Sequence, residues 1–280
     1  MKKYFLLLLL FCITSPMKAQ NIKLMTYNLR LSLASDGPNS WSHRKDFMVD
    51  QINFYGPDIM GTQEGLPEQV HYLKEHLMDY NYIGIGRDGG DEKGEHVAVF
   101  YNTDRLKVLK HSTFWLSKTP KKKSMGWDAA YLRICTYGLF QDKKNRKEFW
   151  VFNIHLDNKG QVARRESVKL ILKKINEINT QGLPVILMGD FNSPPNSAVV
   201  KEFNKYFNES RRISKTAPFG PEGTFNNFDF GEQKDQRIDY IMISKKSPVT
   251  VEKYAVLRDS RNHRYPSDHF PVYAEIVFAN

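Results

Sequence analysis

Apolar and polar positions along the chain follow two rhythms, and each predicts a kind of element. Ile22 to Leu31 alternates with the two-residue period of a strand and turns polar at Asn28. Trp41 to Tyr55 carries Phe47, Val49, Ile52 and Phe54 at helical spacing and closes on Gly56-Pro57. Asp58 to Glu64 predicts a short strand with a polar tip. Pro67 to Met78 predicts a helix opening on its proline, whose missing N–H has no helical partner in the first turn. Tyr82–Gly86, His96–Asn102 and Leu106–Leu116 read as successive antiparallel strands. A hairpin follows, Arg133–Gln141 and Lys147–His155, turning through the charged Asp142-Lys143-Lys144-Asn145-Arg146. Gln161–Asn179 is the longest helical pattern, basic on one side and apolar at Val168, Leu170, Ile171, Leu172 and Ile175. Pro184–Met188 is a strand, Ser197–Tyr206 a helix, and Arg237–Ile243, Val249–Val256 and Pro271–Phe278 are strands. No linker or composition break divides the chain. Many strands with a few amphipathic helices predict an α/β fold, two packed sheets flanked by helices.

Several strands end in a chemically useful tip. Val185-Ile186-Leu187-Met188 runs into Gly189-Asp190-Phe191-Asn192. In extended backbone, side chains at i and i+2 leave the same face, so Asp190 and Asn192 project together. One is a charged acceptor or base and the other a neutral donor, a pairing that suits water activation beside a phosphate. Asn28, Glu64, His155 and Asp268-His269 repeat the design. Asp239 is a carboxylate within an apolar strand, costly unless paired or metal-bound. Gathered at one edge of a sandwich, these residues would line one cleft. Carboxylate and amide oxygens suit Mg2+ or Mn2+, with positions left for phosphate oxygens. Zinc is disfavoured by the shortage of cysteine and of closely spaced histidines. A Gly-x-x-x-x-Gly-Lys loop and a Gly-x-Ser-x-Gly elbow are both missing, which removes nucleotide-loop and serine-nucleophile readings.

Charge and the first residues narrow the setting. Lys2 and Lys3 precede the apolar run Tyr4–Ile13, and Ala19 stands before Gln20, the pattern of a secretory signal peptide over residues 1–19. Residues 20–280 then form one domain, expected to be secreted or periplasmic. No later segment reaches the ~20 apolar residues of a membrane helix. Loss of Lys2, Lys3 and Lys18 leaves 38 basic residues against 31 acids, a charge of about +7 that favours anionic partners. Cys135 is the one cysteine beyond the signal, so no intrachain disulfide is expected. Nothing in the chain predicts a protein partner. Lys121-Lys122-Lys123 reads as a solvated loop, and Trp127-Asp128 as a possible rim of the cleft. Phe225, Phe228 and Phe230 either stack on a ligand or fold back as a local cluster.

Six motifs carry a resemblance, in order from Asn28 to His269. Asn28, Gln63-Glu64, Asn153-Ile154-His155-Leu156, Gly189-Asp190-Phe191-Asn192, Arg237-Ile238-Asp239-Tyr240 and Ser267-Asp268-His269 resemble the series of the endonuclease/exonuclease/phosphatase family. The resemblance implies a four-layered α/β sandwich and a metal-dependent phosphoesterase that forms no covalent intermediate. By resemblance Glu64 is the main metal ligand, assisted by Asn28 and Asp268. Asp190 orients or deprotonates the attacking water, and Asn192 positions the phosphate. His155 and His269 donate to phosphate oxygens, with Asp239 holding His269 in its working tautomer. Glu95 corresponds to a carboxylate partner of His155, and Tyr101 and Arg133 to phosphate-contacting groups. A nuclease- or exonuclease-like substrate ranks first, ahead of a sugar phosphate, an inositol phosphate or a phospholipid headgroup. The rival of another class is a non-catalytic binding protein on the same scaffold.

Overall fold

Strand β1 (Ile22–Asn28) is followed by a 3-10 turn (Ala34–Asn39), helix α1 (Trp41–Tyr55) and β2 (Ile59–Gln63). The computed structural model describes residues 21–90, 92–232 and 235–279, so the predicted signal segment lies outside the described residues. Next come α2 (Pro67–His76), β3 (Tyr80–Ile83), β4 (Val99–Asn102), β5 (Leu106–Trp115), β6 (Ile134–Asp142) and β7 (Glu148–His155). The second half holds α3 (Gln161–Ile178), β8 (Val185–Asp190), α4 (Ala198–Phe203), β9 (Phe207–Glu209) and α5 (Ser210–Ile213). It ends with β10 (Asp239–Ser244), β11 (Val249–Val256) and β12 (Val272–Phe278).

Two six-stranded sheets result, ordered β11-β12-β1-β2-β4-β3 and β5-β6-β7-β8-β10-β9. Each holds one parallel pair among antiparallel neighbours, β1 with β2 and β7 with β8. The cause is a helical crossover: α1 and α3 carry the chain back to the start of the next strand. Both parallel pairs end at the same edge, where Asn28 lies opposite Gln63 and His155 opposite Asp190.

Period-two alternation sorts the core into layers. Ile22, Leu24, Phe149, Val151, Ile186, Met188, Ile241 and Ile243 fill the space between the sheets. Their neighbours one position along face outward. Met25, Tyr27 and Met60 meet Met48, Ile52 and Leu73 of α1 and α2. Phe152, Ile154 and Leu187 meet Val168, Ile171 and Phe203 of α3 and α4. The order helix, sheet, sheet, helix is the expected four-layered α/β sandwich. Full burial of a side chain such as Phe152 contributes about 1.5–3 kcal/mol. Cys135 is fully buried in β6. No helix among the described residues is long and apolar enough to cross a membrane.

Some boundaries differ from expectation. The strand expected over Tyr82–Gly86 lies at Tyr80–Ile83, because Gly84 at φ +122 takes the chain out of the sheet. The strand expected from His96 begins at Val99, and His96 forms isolated bridges to Gly65 and Gly86. The 3-10 turn, β9 and α5 went unforeseen; all are short and lack a clear period.

Candidate active site

Strand parity decides which side chains meet at the shared edge. Leu24 faces the inter-sheet core, so Asn28, four residues on, does too. The same step of two carries Val151 to His155, Met188 to Asp190 and Ile241 to Asp239. Beneath them lies a layer of amides. Gln63 Nε2 donates to Asn153 Oδ1 (2.7 Å) and Thr26 Oγ1 (3.1 Å), and Asn153 Nδ2 donates to the carbonyls of Thr62 (2.9 Å) and Ala98 (2.8 Å). This layer bonds one sheet to the other below the cleft. Gly61 permits it, since a Cβ there would come within 2.8 Å of the Asn153 side chain and Met188 Sδ.

Glu64 follows β2 in left-handed backbone, φ +62. For a side chain without glycine's freedom this costs about 1–3 kcal/mol, and it turns the carboxylate into the cleft. Asn28 Nδ2 donates to Glu64 Oε1 and to Asp190 Oδ2, both at 3.1 Å, and so bridges the sheets. His155 Nε2 lies 3.9 Å from Glu64 Oε1 and 3.5 Å from Asp190 Oδ2. One ligand atom from each of Glu64, His155 and Asp190 falls within 4.8 Å of the others, a cluster that could hold a metal ion. Glu64 is its most open member, with 17% of the side chain exposed against 3% for His155 and 1% for Asp190. Two carboxylates and an amide around one point fit a hard divalent cation. Asn28 faces them with its nitrogen, while its Oδ1 accepts from the Arg30 N–H (3.0 Å). A half-turn of the amide would present the oxygen as a ligand. Asp268 is close enough for its charge and that of Glu64 to act on each other, yet it belongs to neither carboxylate–histidine cluster. Its Oδ2 lies 3.7 Å from Arg30 Nη1.

The two histidines differ in charge. Arg133 Nη1 lies 2.8 Å from Nδ1 and 3.0 Å from Nε2 of His155. A guanidinium only donates, so the ring must accept. Burial, then the charge of Arg133, pushes the His155 pKa well below its ordinary value, and the ring is neutral. Asp157 holds the arginine in place, 3.5 Å from its Nε, and is itself fixed by four backbone N–H groups. His269 lies in the opposite surroundings. Its Nδ1–H donates to Asp239 Oδ2 at 2.9 Å, and Thr224 Oγ1 donates to that same oxygen at 2.6 Å. Burial opposes a charge on this ring, but Asp239, Asp268 and Asp190 outweigh it and raise its pKa well above the ordinary value. Asp239 Oδ1 is buried with no hydrogen-bond partner.

Asp190 stands between the rings. Burial and the nearby Asp239 push its pKa up to about 7, against the opposing pull of His269 and the Asn192 N–H. That N–H donates to Asp190 Oδ1 at 2.8 Å. Asn192 is itself left-handed, φ +46, and its Nδ2 donates to the Leu156 carbonyl at 2.9 Å. Burial likewise raises Asp268 to about 6.

Other expected positions fall elsewhere. Glu95 pairs with Arg87 in two contacts of 2.5 and 2.8 Å, and the ring of His155 is met by Arg133 instead. Tyr101 is a correction. β4 runs antiparallel to β2, and the register sets Tyr101 opposite Ile59, at the end of that strand away from Glu64. There it packs on Phe140 with ring centroids 5.4 Å apart. The three phenylalanines contact neighbouring side chains without being buried, and Phe230 is 44% exposed. Phe225 meets His269 edge-on (5.1 Å), Phe228 lies 5.9 Å from the Arg44 guanidinium, and Phe230 packs on His263 and Tyr265. Asp128 caps α3, accepting from the N–H groups of Val162 and Ala163. Thr224, Arg87 and Asp157 were missed as site residues. Asp157, two residues beyond His155, was the only one with a local sequence signal.

Fold and cleft together give a four-layered α/β sandwich with a carboxylate–histidine cluster that could hold a divalent metal. Residues 25–269 match the family described as Endonuclease/Exonuclease/phosphatase family, and the chain belongs to it. Members of that family hydrolyse phosphate esters with a divalent metal. Among solved structures, a mannosyl-6-phosphatase of Bacteroides thetaiotaomicron superposes with a TM-score of 0.87 at 39% identity, covering 92% of this chain and 100% of that one. The human Nocturnin catalytic domain shares the fold, with a TM-score of 0.73 at 21% identity over 92% and 94% of the two chains. Nocturnin of Mus musculus is 21% identical over 92% of this chain and 66% of its own length. An uncharacterized protein of Acanthamoeba polyphaga mimivirus is 29% identical over 55% of this chain, and Protein angel of Drosophila melanogaster 25% identical over 66%. The matches span little more than half of those two proteins, 59% and 56%.

Proposed function

We propose that the protein is a Mg2+- or Mn2+-dependent phosphoesterase that acts outside the cytoplasm on a sugar phosphate. The observation that carries the reaction class is one Asp190 carboxylate facing a neutral His155 and a cationic His269 beside Glu64. Glu64 and Asp268 would hold the cation, with Asn28 joining after rotation of its amide. Asp190 and His155 close the far side of the same space. Bound there, the cation supplies charge neutralisation to the phosphate oxygens. Asp190, poised near neutrality, accepts a proton from the attacking water. The Nε2–H of His269 donates to an oxygen on which negative charge grows, and Asp239 keeps that proton in place. Asn192 has a second amide hydrogen to offer the phosphate.

One observation favours a sugar phosphate over the nucleic acid that ranked first from the motifs. The mannosyl-6-phosphatase is aligned over its whole length at 39% identity. Export is supported by the signal-like pattern of residues 1–19, and a mature chain starting at Gln20 by mass spectrometry is the expected outcome.

The test is a substrate panel with and without chelator: hexose 6-phosphates, inositol phosphates, single- and double-stranded DNA, RNA, sphingomyelin and a chromogenic bis-ester. Phosphate release from a hexose 6-phosphate should stop with chelator and fall at least about 10²-fold in Glu64→Gln. Turnover confined to DNA or RNA would restore the nuclease reading. Metal binding without turnover of any substrate would favour the binding scaffold.

A further inference from the structure

We propose that a cavity beside the active site is a second oxyanion-binding site, shaped for a phosphate or sulfate group. It encloses about 340 Å³ between the 3-10 turn, the start of α1 and a tight hairpin at residues 261–264. Asn39, His43, Phe47, Arg261, Arg264 and Tyr265 line it, and none of the described residues lining it is acidic.

The hairpin supplies the main argument. Arg261 and Arg264 exchange both backbone hydrogen bonds at 3.0 Å across a turn whose central residues, Asn262 and His263, have φ +52 and +58. Two positive φ values in a two-residue loop make the tight turn that matches strand twist. Residues paired across such a turn put their side chains on one face, and both arginines line the cavity. Like charges directly opposite each other destabilise a strand pair. An anion between them turns that repulsion into attraction.

Arg261 is ion-paired with Asp50, and both guanidinium groups keep further donors for a ligand. Arg261 donates to Asp50 Oδ2 at 2.8 Å through Nη2 and lies over the Phe47 ring at 4.4 Å. Arg264 donates through Nη1 to the Pro38 carbonyl at 3.2 Å. Each guanidinium has five N–H donors, so several remain. Arg44 forms the rigid back wall: its donors go to the carbonyls of Asn39, Leu29, Pro266 and Arg30.

One loop joins this cavity to the cleft. The N–H groups of Asn226 and Asn227 donate to the Asp268 carbonyl, while Phe230 packs on His263 and Tyr265. The occupant is therefore either a free anion or an acidic group on the substrate, remote from the scissile ester. Only the second alternative rests on the phosphoesterase reading.

NMR titration of the ¹⁵N-labelled full chain with inorganic sulfate tests the site. Saturable shifts are expected at the amides of Asn39, Asn262, His263 and Arg264. They should weaken by at least about tenfold in Arg261→Gln/Arg264→Gln and persist in Glu64→Gln. No saturable shift at those amides, or shifts unchanged in the double variant, would overturn the proposal. An unchanged melting temperature of the double variant guards against misfolding, and Lys at both positions should restore part of the binding. Kinetics separate the sources. If the group belongs to the substrate, KM for a hexose bisphosphate rises about tenfold in the double variant while KM for the monophosphate stays level. Equal KM values for both substrates assign the site to a free anion.

Discussion

His155 and His269 look at the same oxygen, 3.5 and 4.0 Å from Asp190 Oδ2, and still carry different charges. Each is almost fully buried, so solvent does not distinguish them. The difference lies behind the ring. His155 ends β7 with the Arg133 guanidinium at its edge; His269 approaches β12 with the Asp239 carboxylate behind it. Residue type sets what a side chain is able to do, and the partner behind it sets which form is present. A phosphoryl-transfer centre profits from this division: a neutral ring beside the cation's place and a charged donor opposite.

The contrast is most exposed at Asp239. Asp239→Asn removes the charge that keeps His269 cationic, and kcat should fall about 10²–10⁴-fold with little change in KM. Steady-state kinetics read this directly, and a normal kcat would remove His269 from its donor role. Arg133→Met attacks the other ring. With the guanidinium gone, the His155 pKa should move up toward its ordinary value, as seen in its ring proton shifts against pH. Activity should drop about 10–100-fold, the usual cost of losing a group that orients a ligand.

Metal-free stability gives a smaller effect with a definite sign. Asp190 and Glu95 have pKa values raised to about 7, and that of His269 is raised as well. Above the unfolded values, the folded chain thus holds protons that the unfolded chain has released, and stability falls as pH rises. His155, whose pKa is lowered, acts oppositely, but only below about 6.5, where the unfolded ring takes up a proton. Between pH 6.5 and 8 the metal-free protein should therefore lose about 2–4 °C of melting temperature for each kcal/mol given up. Added Mg2+ should cancel most of the loss, and a flat profile would contradict the assigned protonation states. Smallest of all, Tyr101→Phe should leave kcat and KM unchanged, since the ring lies in the inter-sheet core. A large loss there would mean the strand register is wrong.

Much of the architecture was legible because period and punctuation are local. Gly56-Pro57 ends α1 where the pattern said, and Pro67 opens α2. The polar tips stood out because a carboxylate closing an apolar run is conspicuous wherever it occurs. Thr224 was not legible: it lies in a loop without period, and its bond to Asp239 spans 15 residues. Tyr101 was misplaced by alignment to motifs, which carries no hydrogen-bond register.

The sequence alone determined the class of two sheets flanked by helices and the residues at the strand tips, because alternation and residue chemistry are written position by position, and the resemblance of six ordered motifs pointed to the family. The tertiary structure decided which tips meet, which histidine is charged and which cavity two arginines share. Those outcomes depend on distances between segments far apart in the chain, and electrostatic energy follows distance in space.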